Sequence, residues 1–224
     1  MVRIKICGIT NLEDARLATD LGAHALGFIF YAKSPRWVRP DAAREIIQNL
    51  PPLIMTVGVF VNEEADTVRE ISETAGLDWI QLHGQESPVY CRALMRRVVK
   101  GFRIRDTHSL TLLPDYRESV QAFLLDTYKT GTAGGTGETF DWTLARQARE
   151  LGPIILAGGL TPVNVAQAIQ VAQPAAVDVS SGVEAAPGKK DPGKLKRFIE
   201  IVKSLRGGGL GEGRVTAFSP SFPR

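Results

Sequence analysis

Residues 3–25 read RIKICGITNLEDARLATDLGAHA, and this stretch sets the pattern for the whole chain. Arg3-Ile4-Lys5-Ile6-Cys7 alternates polar and apolar side chains, the period of a strand. Asn11 can cap a helix over Leu12–Leu21, and Gly22 can end it in the left-handed region. A new apolar run then starts at Ala25. The same unit returns with strand starts near Leu53, Leu77, Val98, Ala122, Ile154 and Ala176, the intervals running from 21 to 32 residues. Each interval holds one strand, one helix and two short loops, which signals right-handed βαβ units and a parallel sheet. Eight such units predict an α/β fold, a single (β/α)8 TIM barrel over residues 1–206.

The punctuation elsewhere agrees. Asn62 precedes Glu63-Glu64, predicting acids in the first turn of a helix that carries Val68, Ile71 and Ala75 and stops at Gly76. Thr161-Pro162 predicts a cap and an N1 proline for a helix to Ile169. Lys194–Ser204 places Leu195, Phe198, Ile199 and Val202 on one stripe. Pro114 interrupts His108–Ser119, so the fifth helix should be short or irregular. Residues 207–224 are rich in Gly, Ser and Pro and are expected to form a flexible tail.

Composition removes several function classes. Lys and Arg number 27 against 24 Asp and Glu, a formal net charge of +3. The run Arg92, Arg96, Arg97, Lys100, Arg103 and Arg105 has no intervening acid. It reads as a solvated helix face plus a strand end, with attraction of a small anion as its functional use. Nucleic acid would call for a broader basic excess with interleaved aromatics. No apolar run reaches membrane-spanning length. Met1 leads straight into a strand without a signal-peptide core, so the cytoplasm is the expected location. Cys7 and Cys91 form no CxxC pair, and His24, His83 and His108 lie far apart, so no metal is expected.

Catalytic groups of such barrels sit at the C-terminal ends of strands. That rule selects Cys7, His83, Asp126 and Asp178. Alternation places Lys5 and Cys7 inside the barrel, with Ile4 and Ile6 toward the helices. It likewise groups Leu124 with Asp126, Ala176 with Asp178 and Ser180, and Trp79 with Gln81 and His83. Closure makes the first and eighth strands neighbours, so Asp178 is the natural partner for a buried Lys5. The Lys5 charge would also favour a Cys7 thiolate. Asp126 ends the apolar run Ala122–Leu125 with an acid. Thr127–Phe140 is long and glycine-rich without a regular period, the composition of a lid or a disordered loop. Gly158-Gly159 follows the seventh strand and Ser180-Ser181-Gly182 the eighth, the two places where such barrels bind phosphate through main-chain N–H groups.

These residues occur in order with Lys5–Thr10, Gly27–Phe30, Ser34-Pro35-Arg36, Gly58–Asn62, Gln81–Gly84, Leu125-Asp126, Gly134–Gly137, Phe140-Asp141-Trp142, Ala157–Leu160 and Asp178–Glu184. Over roughly residues 3–203 the chain closely resembles the phosphoribosylanthranilate isomerases of tryptophan biosynthesis. The resemblance implies an Amadori rearrangement of N-(5′-phosphoribosyl)anthranilate with no metal or organic cofactor. It further implies Cys7 as general base, Asp126 as general acid and Arg36 on the anthranilate carboxylate, with the glycine turns on the phosphate. His83 and Asp178 are further substrate-binding candidates. The implied partner is a small sugar phosphate rather than nucleic acid or membrane, and a homodimer is compatible with the chain.

The chemistry wants the same set. Opening the furanose needs a proton on the ring oxygen, and the iminium so formed acidifies the neighbouring C2′–H. Each proton transfer is worth roughly 10²- to 10⁴-fold in rate. A carboxyl acting as an acid near neutral pH needs a raised pKa, and a thiol acting as a base needs a stabilised anion. Two rival readings differ at these residues. Another phosphate-binding barrel such as indole-glycerol-phosphate synthase would need a Lys/Glu pair at the strand ends. A non-catalytic sugar-phosphate binder need not keep both Cys7 and Asp126.

Overall fold

The computed structural model describes residues 1–127 and 139–205. Eight strands close into a parallel barrel in sequence order. They are β1 (Arg3–Cys7), β2 (Ala25–Ile29), β3 (Met55–Phe60), β4 (Trp79–Leu82), β5 (Val98–Ile104), β6 (Ala122–Thr127), β7 (Ile154–Leu156) and β8 (Ala176–Val179). The helices between and after them are α1 (Leu12–Leu21), α2 (Pro40–Gln48), α3 (Ala65–Ala75), α4 (Pro88–Ala93), α5 (Trp142–Ala148), α6 (Val165–Ala172) and α7 (Pro192–Ser204). The fifth crossover is a 3₁₀ segment, Thr107–Tyr116, with Pro114 inside it. Proline lacks the N–H that an α-helix would use there. The tail at 207–224 and most of the glycine-rich loop after β6 lie outside the described residues.

Six strands start where the sequence predicts, and β3 and β4 start two residues later. Leu53 has φ of 69° and is fully exposed beyond Pro51-Pro52, so it belongs to the turn. Leu77 donates its N–H to the Ser72 carbonyl, as Gly76 does, and so belongs to the end of α3. Asn11 caps α1 by accepting the Asp14 N–H at 2.8 Å, and Gly22 closes the helix in the left-handed region. The start of α3 departs from expectation. Glu63 and Glu64 precede the helix, and its first-turn acid is Asp66. Asn62 instead sits at φ 51° and accepts the Gln85 N–H at 2.6 Å, tying the β3 loop to the β4 loop. α6 also begins later than predicted. Asn164 accepts the Thr161 N–H at 2.8 Å, so Thr161–Asn164 makes a turn and the helix runs from Val165 to Ala172.

Most of the core lies between sheet and helices, where Ile4, Ile6, Leu26, Phe28 and the stripe Leu195, Phe198, Ile199 and Val202 are buried. A small separate cluster of Val99, Ala122, Leu124 and Ala157, joined by Trp79 and Ile155, fills the barrel interior below the site. After β8 the chain makes a short antiparallel hairpin, β9 (Glu184–Ala186) and β10 (Lys189–Lys190). Among the described residues no helix is long and apolar enough to cross a membrane.

The basic run is not uniformly solvated. Lys100 points to the helix side of β5 and is 2% exposed. Its ammonium donates to the Gly84 and Gly101 carbonyls at 2.8 and 3.0 Å and lies 3.2 Å from Glu86. Burial lowers its pKa, with Glu86 opposing. Glu86 in turn accepts N–H bonds from Asn62 and Gly84. This buried cation is a structural knot beneath two site loops. In the same run Arg103 does reach the cavity described next.

Candidate active site

The C-terminal ends of the strands surround a cavity of about 240 Å³. All ten residues selected from the sequence line it, from Cys7 and Arg36 on one side to Asp126 and the glycine turns on the other. Glycines make the room. A Cβ on Gly27 would stand 2.7 Å from the Cys7 sulfur. On Gly182 it would stand 1.8 Å from the Leu160 carbonyl oxygen, so only glycine lets the turns after β7 and β8 close together.

Lys5 donates to Asp178 at 2.9 Å, with 4% and 8% of the two residues exposed. Strand register makes them direct neighbours. Burial alone would lower the Lys5 pKa, but Asp178 and Cys7 outweigh it and hold the ammonium above the usual lysine range. Lys5 pulls the Cys7 thiol toward its anion, as the sequence suggests, but it does not decide the balance. Burial is the largest influence and pushes the thiol up, Asp178 adds to this, and Lys5 and Lys190 oppose it without prevailing. Cys7 is therefore a weaker acid than an ordinary thiol.

The Lys5–Asp178 pair carries a stability prediction. Asp178→Ala strands a buried cation, whereas Lys5→Met leaves a carboxyl that can take a proton. We expect Asp178→Ala to cost about 3–5 kcal/mol and Lys5→Met clearly less. Urea midpoints compare them directly, and an equal or reversed order would refute the argument. The contribution of Lys5 should be intact below about pH 10 and lost as pH rises through its elevated folded value.

Arg36 donates through Nε to Glu184 Oε1 at 2.8 Å and through Nη2 to Oε2 at 2.6 Å. This bidentate grip raises its pKa further. It also fixes the plane of the guanidinium and leaves the Nη1 edge of the fork for an anion in the cavity. Glu184 is shared. Lys190, 1% exposed, donates to Glu184 at 2.9 Å and to the Cys7 carbonyl at 2.7 Å. Burial would raise the Glu184 pKa, but Arg36 and Lys190 bring it below the usual value. Sequence reasoning assigned no role to Glu184 and did not find Lys190, because both act through the hairpin that follows β8.

Asp126 accepts the Thr127 N–H at Oδ1, 2.8 Å away, and its Oδ2 lies 3.3 Å from His83 Nε2. Gly158 and Gly159 both hold positive φ. The buried hydroxyls of Thr127, beside Gly158, and of Ser180, beside Gly8, have no hydrogen-bond partner among the described residues. Unpaired donors next to open main chain suit the oxygens of an anion. Ile29, Val59 and Val61, at the ends of β2 and β3, give the cavity an apolar wall suited to an aromatic ring. Among the described residues no group of three or more His, Cys, Asp or Glu is placed to hold a metal ion.

The family model for N-(5′-phosphoribosyl)anthranilate isomerase matches residues 4–201. The chain belongs to this isomerase family. An N-(5′-phosphoribosyl)anthranilate isomerase of Citrifermentans bemidjiense is 55% identical over 205 residues, covering 92% of this chain and 98% of that one. The crystal structure of the phosphoribosylanthranilate isomerase of Thermotoga maritima is 47% identical with a TM-score of 0.86, covering 92% of this chain and all of that one. A further isomerase structure, solved with reduced 1-(o-carboxyphenylamino)-1-deoxyribulose 5-phosphate, is 44% identical with a TM-score of 0.83 and the same coverage. The matched span includes every cavity residue discussed above and ends before the tail.

Proposed function

We infer that this chain isomerises N-(5′-phosphoribosyl)anthranilate to 1-(o-carboxyphenylamino)-1-deoxyribulose 5-phosphate, a step of tryptophan biosynthesis carried out in the cytoplasm. The observation that carries the reading is Cys7 and Asp126 facing one cavity between an arginine fork and paired glycine turns. The phosphate sits on the turns at Gly158-Gly159 and Ser180–Gly182, and the anthranilate carboxylate on the free edge of Arg36. Asp126 gives its proton to the ring oxygen as the C1′–O bond breaks, which leaves an iminium. Cys7, reacting as the thiolate that Lys5 and Lys190 favour, takes the C2′ proton and becomes the thiol, and the electron pair of that bond neutralises the iminium to give an enolamine. Protonation at C1′ and loss of the hydroxyl proton at C2′ complete the ketone, so no atom is gained or lost overall. Every group used belongs to one protomer, so a homodimer adds nothing to this chemistry.

Loss of anthranilate fluorescence with purified protein and substrate tests the reading. Turnover to the aminodeoxyribulose phosphate without release of carbon dioxide supports it. Release of carbon dioxide points to the synthase chemistry, and no turnover to a mere binder. Arg36→Lys, which keeps the charge but loses the fork, should raise KM by roughly 10- to 100-fold with a smaller effect on kcat. An unchanged KM would remove Arg36 from substrate recognition.

A further inference from the structure

Gln81 is 3% exposed in the barrel interior, yet its Oε1 has no hydrogen-bond partner among the described residues. Its amide nitrogen lies 3.2 Å from His83 Nδ1. A buried, half-satisfied amide is costly and calls for a reason. His83 itself is tightly placed. A Cβ on Gly101 would stand 2.6 Å from His83 Nδ1, so the ring packs close against β5 and only glycine there admits it. Its other nitrogen, Nε2, is 3.3 Å from Asp126 Oδ2.

We propose that Gln81 and His83 form a positioning relay for Asp126. The Gln81 N–H donates to Nδ1 of a neutral His83, which fixes the ring's single N–H on Nε2, and that N–H donates to Asp126 Oδ2. The inference deepens the reading of Asp126 as the general acid and rests on it. With the ring N–H facing Oδ2 and the Thr127 N–H on Oδ1, His83 offers no lone pair to the acid's own proton, which stays available to substrate. The opposite orientation of the Gln81 amide would put the ring proton on Nδ1. His83 Nε2 would then accept the Asp126 proton and hold it away from substrate. As Asp126 gives its proton up, negative charge grows on a carboxylate already facing two donors, His83 Nε2–H and Thr127 N–H. Both bonds strengthen in the transition state and add little to ground-state binding.

The relay therefore predicts a kcat effect with little change in KM. His83→Ala should lower kcat by roughly 10- to 100-fold, the worth of one hydrogen bond to a charged group, with KM within about threefold. His83→Gln, which can offer an N–H where Nε2 stood, should recover much of the loss. Gln81→Glu should also lower kcat, because its carboxylate draws the ring proton to Nδ1. A readout independent of turnover is the ¹⁵N spectrum of His83 in the wild-type protein, with Asp126→Asn assayed alongside. A neutral ring protonated on Nε2 is the expected result. A proton on Nδ1, a doubly protonated ring, or a His83→Ala kcat within threefold of wild type overturns the relay. If Asp126→Asn abolishes turnover and His83→Ala does not, the relay alone fails. If Asp126→Asn remains active, the reading of the acid fails and the relay with it.

Discussion

Cys7→Ser is expected to lower kcat by at least about 100-fold, the minimum for loss of a general base. Serine keeps nearly the same shape beside Gly27 but raises the pKa of the base far out of range. The burial that pushes the Cys7 thiol up makes its thiolate scarce at neutral pH and, once formed, a strong base. That suits a carbon acid already activated by an adjacent iminium. Lys5 and Lys190 keep the thiolate within reach, since both pull the thiol down. The thiolate signal in ultraviolet difference spectra against Cys7→Ser should therefore appear only above about pH 8.5, the ordinary thiol value. It should move higher still in Lys5→Met. The phosphate turns are untouched, so KM should change far less than kcat. A Cys7→Ser enzyme with more than about a tenth of wild-type kcat would pass the role of base to another inward group, with His83 first.

The barrel was legible because its signals are local and repeated. Asn11, Gly22 and the alternation of Arg3–Cys7 each act within a few residues, and the structure keeps them. The Lys5–Asp178 pair was legible for a different reason: parity puts both side chains inward, and closure makes their strands neighbours. What the sequence concealed depends on chain paths that periodicity does not encode. Lys100 looks like one more solvated cation until Glu86 and two carbonyls meet it on the helix side of β5. Glu184 and Lys190 join Arg36 to the end of β1 only because a hairpin follows β8. Lys5 favours the Cys7 thiolate as the sequence suggests, but full burial, which is the larger effect, was not legible there. The starts of two helices were missed where polar side chains took other partners, Asn62 across to Gln85 and Asn164 back to Thr161.

Asp126→Asn should be as damaging as Cys7→Ser, at least about 100-fold in kcat. Asparagine has the same outline and can still accept the Thr127 N–H, so the end of β6 should keep its shape. What it lacks is a proton to give the ring oxygen, and without that proton the C1′–O bond must break to an alkoxide. Asparagine also meets His83 with an N–H or a carbonyl fixed in place, whereas a carboxyl can change from acid to base during the step. Inorganic phosphate should compete with substrate equally well in the variant and the wild type, because the turns at Gly158-Gly159 and Ser180–Gly182 are unaltered. A substrate whose sugar is already open needs no ring protonation. Asp126→Asn should therefore carry a pre-opened analogue through the Cys7 proton transfer at nearly the wild-type rate, and Cys7→Ser should not. Equal loss on both substrates would mean that Asp126 does something other than protonate the ring oxygen. Retention of more than about a tenth of wild-type kcat on the closed sugar would remove it from the chemistry altogether.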